Sequence, residues 1–472
     1  MAEGMIIRRG GKTSDTIDTW EPNPLWPNLK TIIDNDTEDY VGKVAVLYAS
    51  GHESFDFDLS AMQSQAVKTS DGAFYTTDTL HTWDTSQDID EGNGLKVRWV
   101  IWYYSDTTSA SITSNDELFK HKPKWIVVGS NGTTFNWRFD DTFNRIYHNT
   151  YLEAIDHHSG GVWDTSSVTN MSNMFNYCSS LRTIPLFDTS SVTNMNAMFS
   201  NCGALKTVPL FDTSSVTNMS VMFNRCSALK TIPLLETSLV TTMSNMFNRC
   251  SALKTIPLLD TSSVTNMISM FRDCEALKTV PLLDTSSVVS MASMFSSCSS
   301  LETIPLLDTP LLVNTSSMFS SCSSLRTMAS LDTSSVTSMN NMFSNCQALR
   351  KVSIDTSSAS NVSALFQTCI LLEDIGEINL SSVNSINTLT FSFGAFSNVG
   401  YEVKATFVPN TINRELTIST PSLTYDSLIS LIGGLVDRSS TTSLNIVLGG
   451  TNIAKLTQAD LDLITGKNWT YS

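Results

Sequence analysis

The chain has 472 residues, longer than one compact core usually supports, so several folding units or a repeat are expected. Its 45 acidic against 29 basic residues give a net charge of −16, which repels a phosphate backbone and argues against nucleic acid as a partner. No stretch approaches the ~20 apolar residues of a membrane helix, and no apolar segment follows Arg8, Arg9 and Lys12, so neither membrane insertion nor export by a signal peptide is expected.

Residues 1–45 read as an extended N-terminal arm with the Pro-rich stretch Glu21-Pro-Asn-Pro-Leu-Trp-Pro27. Trp20 and Trp26 lie there without periodic apolar partners. Exposed tryptophans of this kind are usually buried by a partner, which makes the two candidates for docking on a particle. Residues 46–150 read as a β-rich attachment domain. Strand-like runs at Val44–Tyr48, Leu95–Tyr104 and Trp125–Val128 are separated by Ser-Asp-Gly, Gly-Asn-Gly and Ser-Asn-Gly turns.

Chemistry is sparse along this stretch. Gly10-Gly11-Lys12-Thr13 has Ile6 where a phosphate-binding loop needs glycine. The pair His157-His158 lacks the spacing of a zinc site, and the run Asp88-Ile89-Asp90-Glu91 lacks that of a calcium loop. With no nucleophile elbow or dinucleotide fingerprint either, no enzyme activity, cofactor or metal is expected.

Residues 151–400 are dominated by a repeat. Nine cysteines from Cys178 to Cys369 are spaced by 24 seven times and then by 23, so they mark a repeat position and not a disulfide framework. Buried, reduced thiols are expected. The unit is clearest from Asp212 to Leu235. Val216, Met219, Met222, Phe223, Cys226 and Leu229 fall on one arc of a helical wheel, and Leu229-Lys-Thr-Ile232-Pro-Leu234 fits a leucine-rich strand. Stacking would bury the apolar stripe that one coil cannot bury alone. The expected fold is therefore an α/β repeat solenoid, leucine-rich-repeat-like, with one short helix and one strand per 24-residue coil behind a β-rich N-terminal domain.

With strand alternation, Ile232 and Leu234 point inward and Leu235 points out. The outward column then holds Phe187, Phe211, Leu235, Leu259, Leu283, Leu307 and Leu331, a candidate partner-binding ridge. A register shift of one residue would send that column into the core. Asp164, Asp188, Asp212 and their equivalents to Asp355 form a carboxylate column, best read as turn and helix-start hydrogen bonding.

The motif Asp-Thr-Ser-Ser-Val-Thr-Asn-Met-Ser-x-Met-Phe-x-x-Cys-x-x-Leu resembles the BspA-like leucine-rich repeats of bacterial surface proteins, Mycoplasma lipoproteins and phages of gut bacteria. Residues 401–472 read as a C-terminal capping segment: a helix over Leu423–Val436, a strand at Leu444–Leu448 and a final helix opened by Thr457. Its Lys-x-Trp-Thr ending is similar to the closing segment of such proteins. The resemblance implies a non-enzymatic surface binder. With no export signal read and an arm suited to docking, the first expectation is a bacteriophage virion fibre protein. It would bind a host cell-surface protein or glycan, contact other virion proteins through its N-terminal region, and form a homo-oligomer. The alternative is a bacterial cell-surface adhesin.

Overall fold

The computed structural model describes residues 28–49, 123–130, 146, 148–158, 161–329, 331–383, 402–418 and 422–472, together with strand segments at 55–58, 66–70, 74–75, 80–83, 89–90, 96–104, 109–112, 135–139 and 389–391. Trp20 and Trp26 lie outside the described residues, as does most of the expected arm. That arm stops short of residue 45, because Leu29–Asn35 is a helix and Gly42–Ala49 is a central strand. Asn28 starts the helix by accepting from the backbone N–H groups of Lys30 and Thr31.

Gly42–Ala49 pairs antiparallel with both Lys96–Tyr104 and Trp125–Ser130 in a seven-stranded sheet. The β-branched and aromatic residues of these strands suit a sheet buried on both faces. Ala45, Leu47, Ile101, Tyr103 and Val127 pack under Leu29 and Ile33 of the helix. Val44, Val46, Trp102, Tyr104, Ile126 and Val128 belong to the same apolar core as the repeats. The sheet is thus the end wall of the solenoid. Ala154–His157 pairs parallel with Trp125–Ser130, and Ala154 also bridges Thr183 of the first coil.

From Gly161 to Glu373 the coils stack in parallel, but they are not built from a helix and a strand. Among the described residues of this stretch there is no α-helix, and after the Gly161–Asp164 strand the strand-like pairing between neighbouring coils is reduced to single bridges. In the third coil the N–H groups of Met222, Asn224 and Cys226 donate to the carbonyls three residues back. Those of Val221, Phe223 and Arg225 reach Ser244, Met246 and Asn248 of the next coil. A helix would send every N–H four residues back. Here alternate residues turn sideways, and Val221 and Arg225 sit at φ of 62° and 60°. The recurrence of such residues every four positions carries the same apolar arc as a helix, which is why a wheel does not separate the two. Thr217, Asn218, Ser220 and Asn224 are all poor helix formers.

The interior is a set of ladders. Met219, Met222, Phe223, Cys226 and Leu229 are fully buried, as are most of their equivalents. Phenylalanine rings from Phe175 to Phe366 stack with centroids 5.5–5.8 Å apart and planes within 2–11°, so neighbouring coils turn little relative to one another.

The tail continues the stack by other means. Parallel strands at Leu416–Ile418, Leu444–Val447 and Trp469–Tyr471 pair in succession. Helices span Tyr425–Gly434, capped by Thr424, and Gln458–Gly466, where Thr457 and Asp460 form a capping box. The Trp469 indole donates to the Val436 carbonyl at 2.9 Å, and Lys467 Nζ donates to the carbonyl of Leu435 at 2.7 Å, closing the last unit.

Candidate functional site: a repeated surface ladder

The segment that ends each coil decides what the solenoid shows to its surroundings. In the third coil Leu229, Ile232 and Leu235 are buried while Leu234 is 62% exposed. Inward positions therefore recur every three residues, the period of a polyproline-II helix, not every two as in a strand. Pro233 is the reason: it fixes φ and removes a ladder donor, so this segment cannot alternate like a strand.

The expected ridge is corrected accordingly. Phe187, Phe211, Leu235, Leu259, Leu283, Leu307 and Leu331 are only 1–4% exposed and form part of the core. The exposed column lies one residue earlier: Leu186, Leu210, Leu234, Leu258, Leu282 and Leu306, each 60–65% exposed. The proline at the preceding position of every one of these coils was the sequence signal for it. Singly exposed leucines are ordinary on soluble proteins, but six in register form a continuous apolar line.

Charged columns border that line. Two residues after each leucine stands a carboxylate, Asp188, Asp212, Glu236, Asp260, Asp284 or Asp308, all exposed. Asp212 accepts from the hydroxyl of Ser214 at 2.6 Å and from its backbone N–H at 3.0 Å. The same bonds recur at Asp188, Asp260 and Asp284. They hold the carboxyls of Asp212, Asp260 and Asp284 below the usual range. The column therefore has the turn-bonding role expected of it, and its charge stays on the surface. Four residues before the leucines stand Arg182, Lys206, Lys230, Lys254 and Lys278, with Glu302 in the sixth coil.

Two grooves flank the leucines. One, of about 780 Å³, runs along Leu282, Leu306, Asp284, Asp308 and Asp332. The other, of about 440 Å³, is lined by Thr207, Pro209, Thr231 and Pro233 among others.

Behind the face, buried threonines tie the coils together. Thr213 Oγ1 donates to the Glu236 carbonyl and Thr237 Oγ1 to the Asp260 carbonyl, each at 2.7 Å, and the pattern repeats along the stack. All nine cysteines are free and buried. Cys226 Sγ donates to the Phe199 carbonyl at 3.1 Å and Cys250 Sγ to that of Phe223 at 3.0 Å. Burial pushes the Cys250 thiol up to about 12, so it stays protonated and unreactive.

Other charged groups have structural partners. His158 meets Asp34 at 2.7 Å and Asp156 pairs with Lys30, which ties the junction back to the first helix. Asp36 is buried against Lys43 at 2.8 Å, Lys68 at 3.1 Å and the Tyr103 hydroxyl at 2.9 Å. Among the described residues no group of three or more His, Cys, Asp or Glu could hold a metal ion, and no helix is long and apolar enough to cross a membrane.

A stack of 24-residue coils with a buried leucine, methionine and phenylalanine interior defines a repeat solenoid of leucine-rich type. Among solved structures the chain is similar to a leucine rich cell surface protein of Faecalibacterium prausnitzii, at 21% identity over 59% of this chain and 84% of that one, with a TM-score of 0.33. It is also similar to the leucine rich repeat protein of T. pallidum, at 19% identity over 43% and 83% with a TM-score of 0.28. A leucine-rich repeat protein of Bacteroides ovatus matches at 15% identity over 74% and 94%, with a TM-score of 0.23. No curated protein matches. Residues 141–258, 226–326 and 301–400, together more than half of the sequence, match the family described as Mycoplasma protein of unknown function, DUF285, and the chain belongs to that family.

Proposed function

We propose that this chain is a non-enzymatic surface protein that binds a partner macromolecule through the leucine ladder and its charged borders. One observation carries the reading: six leucines at 60–65% exposure, in register on successive coils, while the neighbouring column is core. A repeated face offers the same contact many times, which suits adhesion and not catalysis, since an active site needs one unique constellation. The resemblance of the repeats to BspA-like surface proteins supports display on the outside of a phage particle or a bacterial cell. The N-terminal region is the part that would dock it there, and a host cell-surface protein or glycan is the partner class.

The test is binding of the fluorescently labelled full chain to intact gut bacteria, compared with the triple variant Leu210→Ser, Leu234→Ser, Leu258→Ser. Loss of cell binding with an unchanged melting temperature is expected, because these side chains project into solvent. Equal binding by the variant sinks the ladder as the recognition face. Immunogold labelling of purified phage particles and of intact cells separates the virion reading from the adhesin reading.

A further inference from the structure

Across each coil of the ladder the outward positions come in a fixed order. In the third coil Lys230 stands first, then Thr231 and Pro233, then Leu234, then Glu236. Stacked over six coils these positions make a basic edge, a leucine ridge and an acidic edge, with a shallow groove on the basic side of the ridge in the first three coils. The groove holds about 440 Å³ where Thr207, Pro209, Thr231 and Pro233 line it. The face is directional across its width, and toward the sixth coil the groove passes to the acidic side of the ridge.

We infer that two copies of this chain also meet through this face, side by side, with their solenoids parallel, so that self-pairing and binding of the proposed partner compete for the ladder. The inference rests on the ladder being an interaction surface. Two operations set the face against itself. A two-fold axis along the stack reverses the order across the face, so each basic edge lies over the partner's acidic edge and, in the first three coils, each ridge faces the partner's groove. A two-fold axis across the stack preserves the order, setting basic on basic, acidic on acidic and ridge on ridge. Charge therefore selects the first operation, and the groove of the first three coils fits it.

The dimensions agree. Lys230 to Glu236 is six steps of about 3 Å, and six coils about 5 Å apart give roughly 500 Å² of face per copy, about 1,000 Å² for the pair, the size of a weak and reversible interface. Neighbouring phenylalanine planes within 2–11° keep the columns straight enough to stay in step. Two features mark the limits of the pairing. Arg182 already holds Glu153 and Lys206 is also engaged within its own chain, and Glu302 stands in the basic column facing the partner's acidic edge, so Lys230, Lys254 and Lys278 with their opposite carboxylates carry the charge matching.

The midpoint between the two edges is the proline column, which lies on the two-fold axis. Pro209→Cys and Pro281→Cys are therefore made separately in the full chain, whose own cysteines are buried, and oxidised with copper phenanthroline. Parallel pairing gives a covalent dimer from each variant alone. Antiparallel pairing gives one only when the two variants are mixed, and that result overturns the proposal. In sedimentation equilibrium the unmodified chain is expected to dimerise in the micromolar range. Lys230→Glu with Lys254→Glu should weaken the dimer at least 10-fold, and adding Glu236→Lys with Asp260→Lys should restore it. A chain monomeric at 100 µM (a concentration well above that range) also overturns the proposal. If that monomer binds cells in a ladder-dependent way, the proposed function stands while this inference falls. If instead the dimer persists unchanged in the triple leucine variant, the ladder is not its interface and the inference fails, whatever the cell-binding result.

Discussion

The coils from Gly161 to Glu373 and the tail from Glu402 to Ser472 solve one problem in two ways. Both must satisfy the backbone while burying an apolar stripe. In the repeats, half of the N–H groups along the Met-Phe-Cys segment are satisfied only by the next coil. In the tail, the helices Tyr425–Gly434 and Gln458–Gly466 satisfy their own and are capped by their own threonines. The difference teaches where dependence on neighbours lies. A tail unit carries much of its structure within itself, whereas a repeat coil has its backbone bonds and its core divided with the coils on either side, as expected of a one-dimensional array.

The comparison breaks most visibly at the phenylalanine ladder. Phe247 is fully buried and stacks on Phe223 at 5.7 Å and Phe271 at 5.6 Å. Phe247→Ala is expected to cost about 3–5 kcal/mol in urea denaturation and to split the transition, because a gap in the ladder uncouples the coils on its two sides. A single unshifted transition would mean that the coils are more autonomous than their bonds imply. Thr261→Val is the next test. It keeps the shape but removes the 2.7 Å hydrogen bond to the Asp284 carbonyl, for an expected loss of about 1–3 kcal/mol.

The tail should respond locally. Thr457→Ala removes the capping box that opens the last helix and should cost about 1 kcal/mol. In hydrogen exchange the faster amides should stay within Gln458–Gly466; spread of the effect into the coils before Glu373 would erase the contrast between the two regions. A change of similar size has the opposite sign. Val221 is β-branched at φ 62°, where equivalent coils carry Asn173, Asn245 and Asn341. Val221→Asn should raise stability by about 1 kcal/mol, read as an upward shift in melting temperature.

Much of this was legible in the sequence, for physical reasons that differ by element. The period of 24 showed the stack because every coil must present the same inward set to its neighbours. The burial of Cys226 and Met222 followed from their place in that set. The final tail helix was legible because Thr457 caps it with a local bond. The coil geometry was not, since a run of turns with left-handed residues every four positions places Met219, Met222, Phe223 and Cys226 on one side as a helix does. The exposed ladder lies one residue from the expected column because the leucine-rich pattern implies a period of two, whereas Pro233 excludes a strand there. The pairing of the Ala154–His157 strand with both the N-terminal sheet and the first coil had no signal in the repeat, because it is a contact between unlike elements.

The threonine and thiol bonds described above each join one coil to the next, Thr237 to the Asp260 carbonyl and Cys250 to the Phe223 carbonyl. Nothing in them refers to how many coils there are. Removing residues 236–259 as a block would leave Thr213 facing the carbonyl of residue 260 in place of residue 236, and every column would close again. The gene can therefore lengthen or shorten the protein by whole units without inventing a contact, and the reach of the molecule changes in steps of about 5 Å. Unequal recombination between near-identical copies then becomes a source of variants that fold at once and differ only in span.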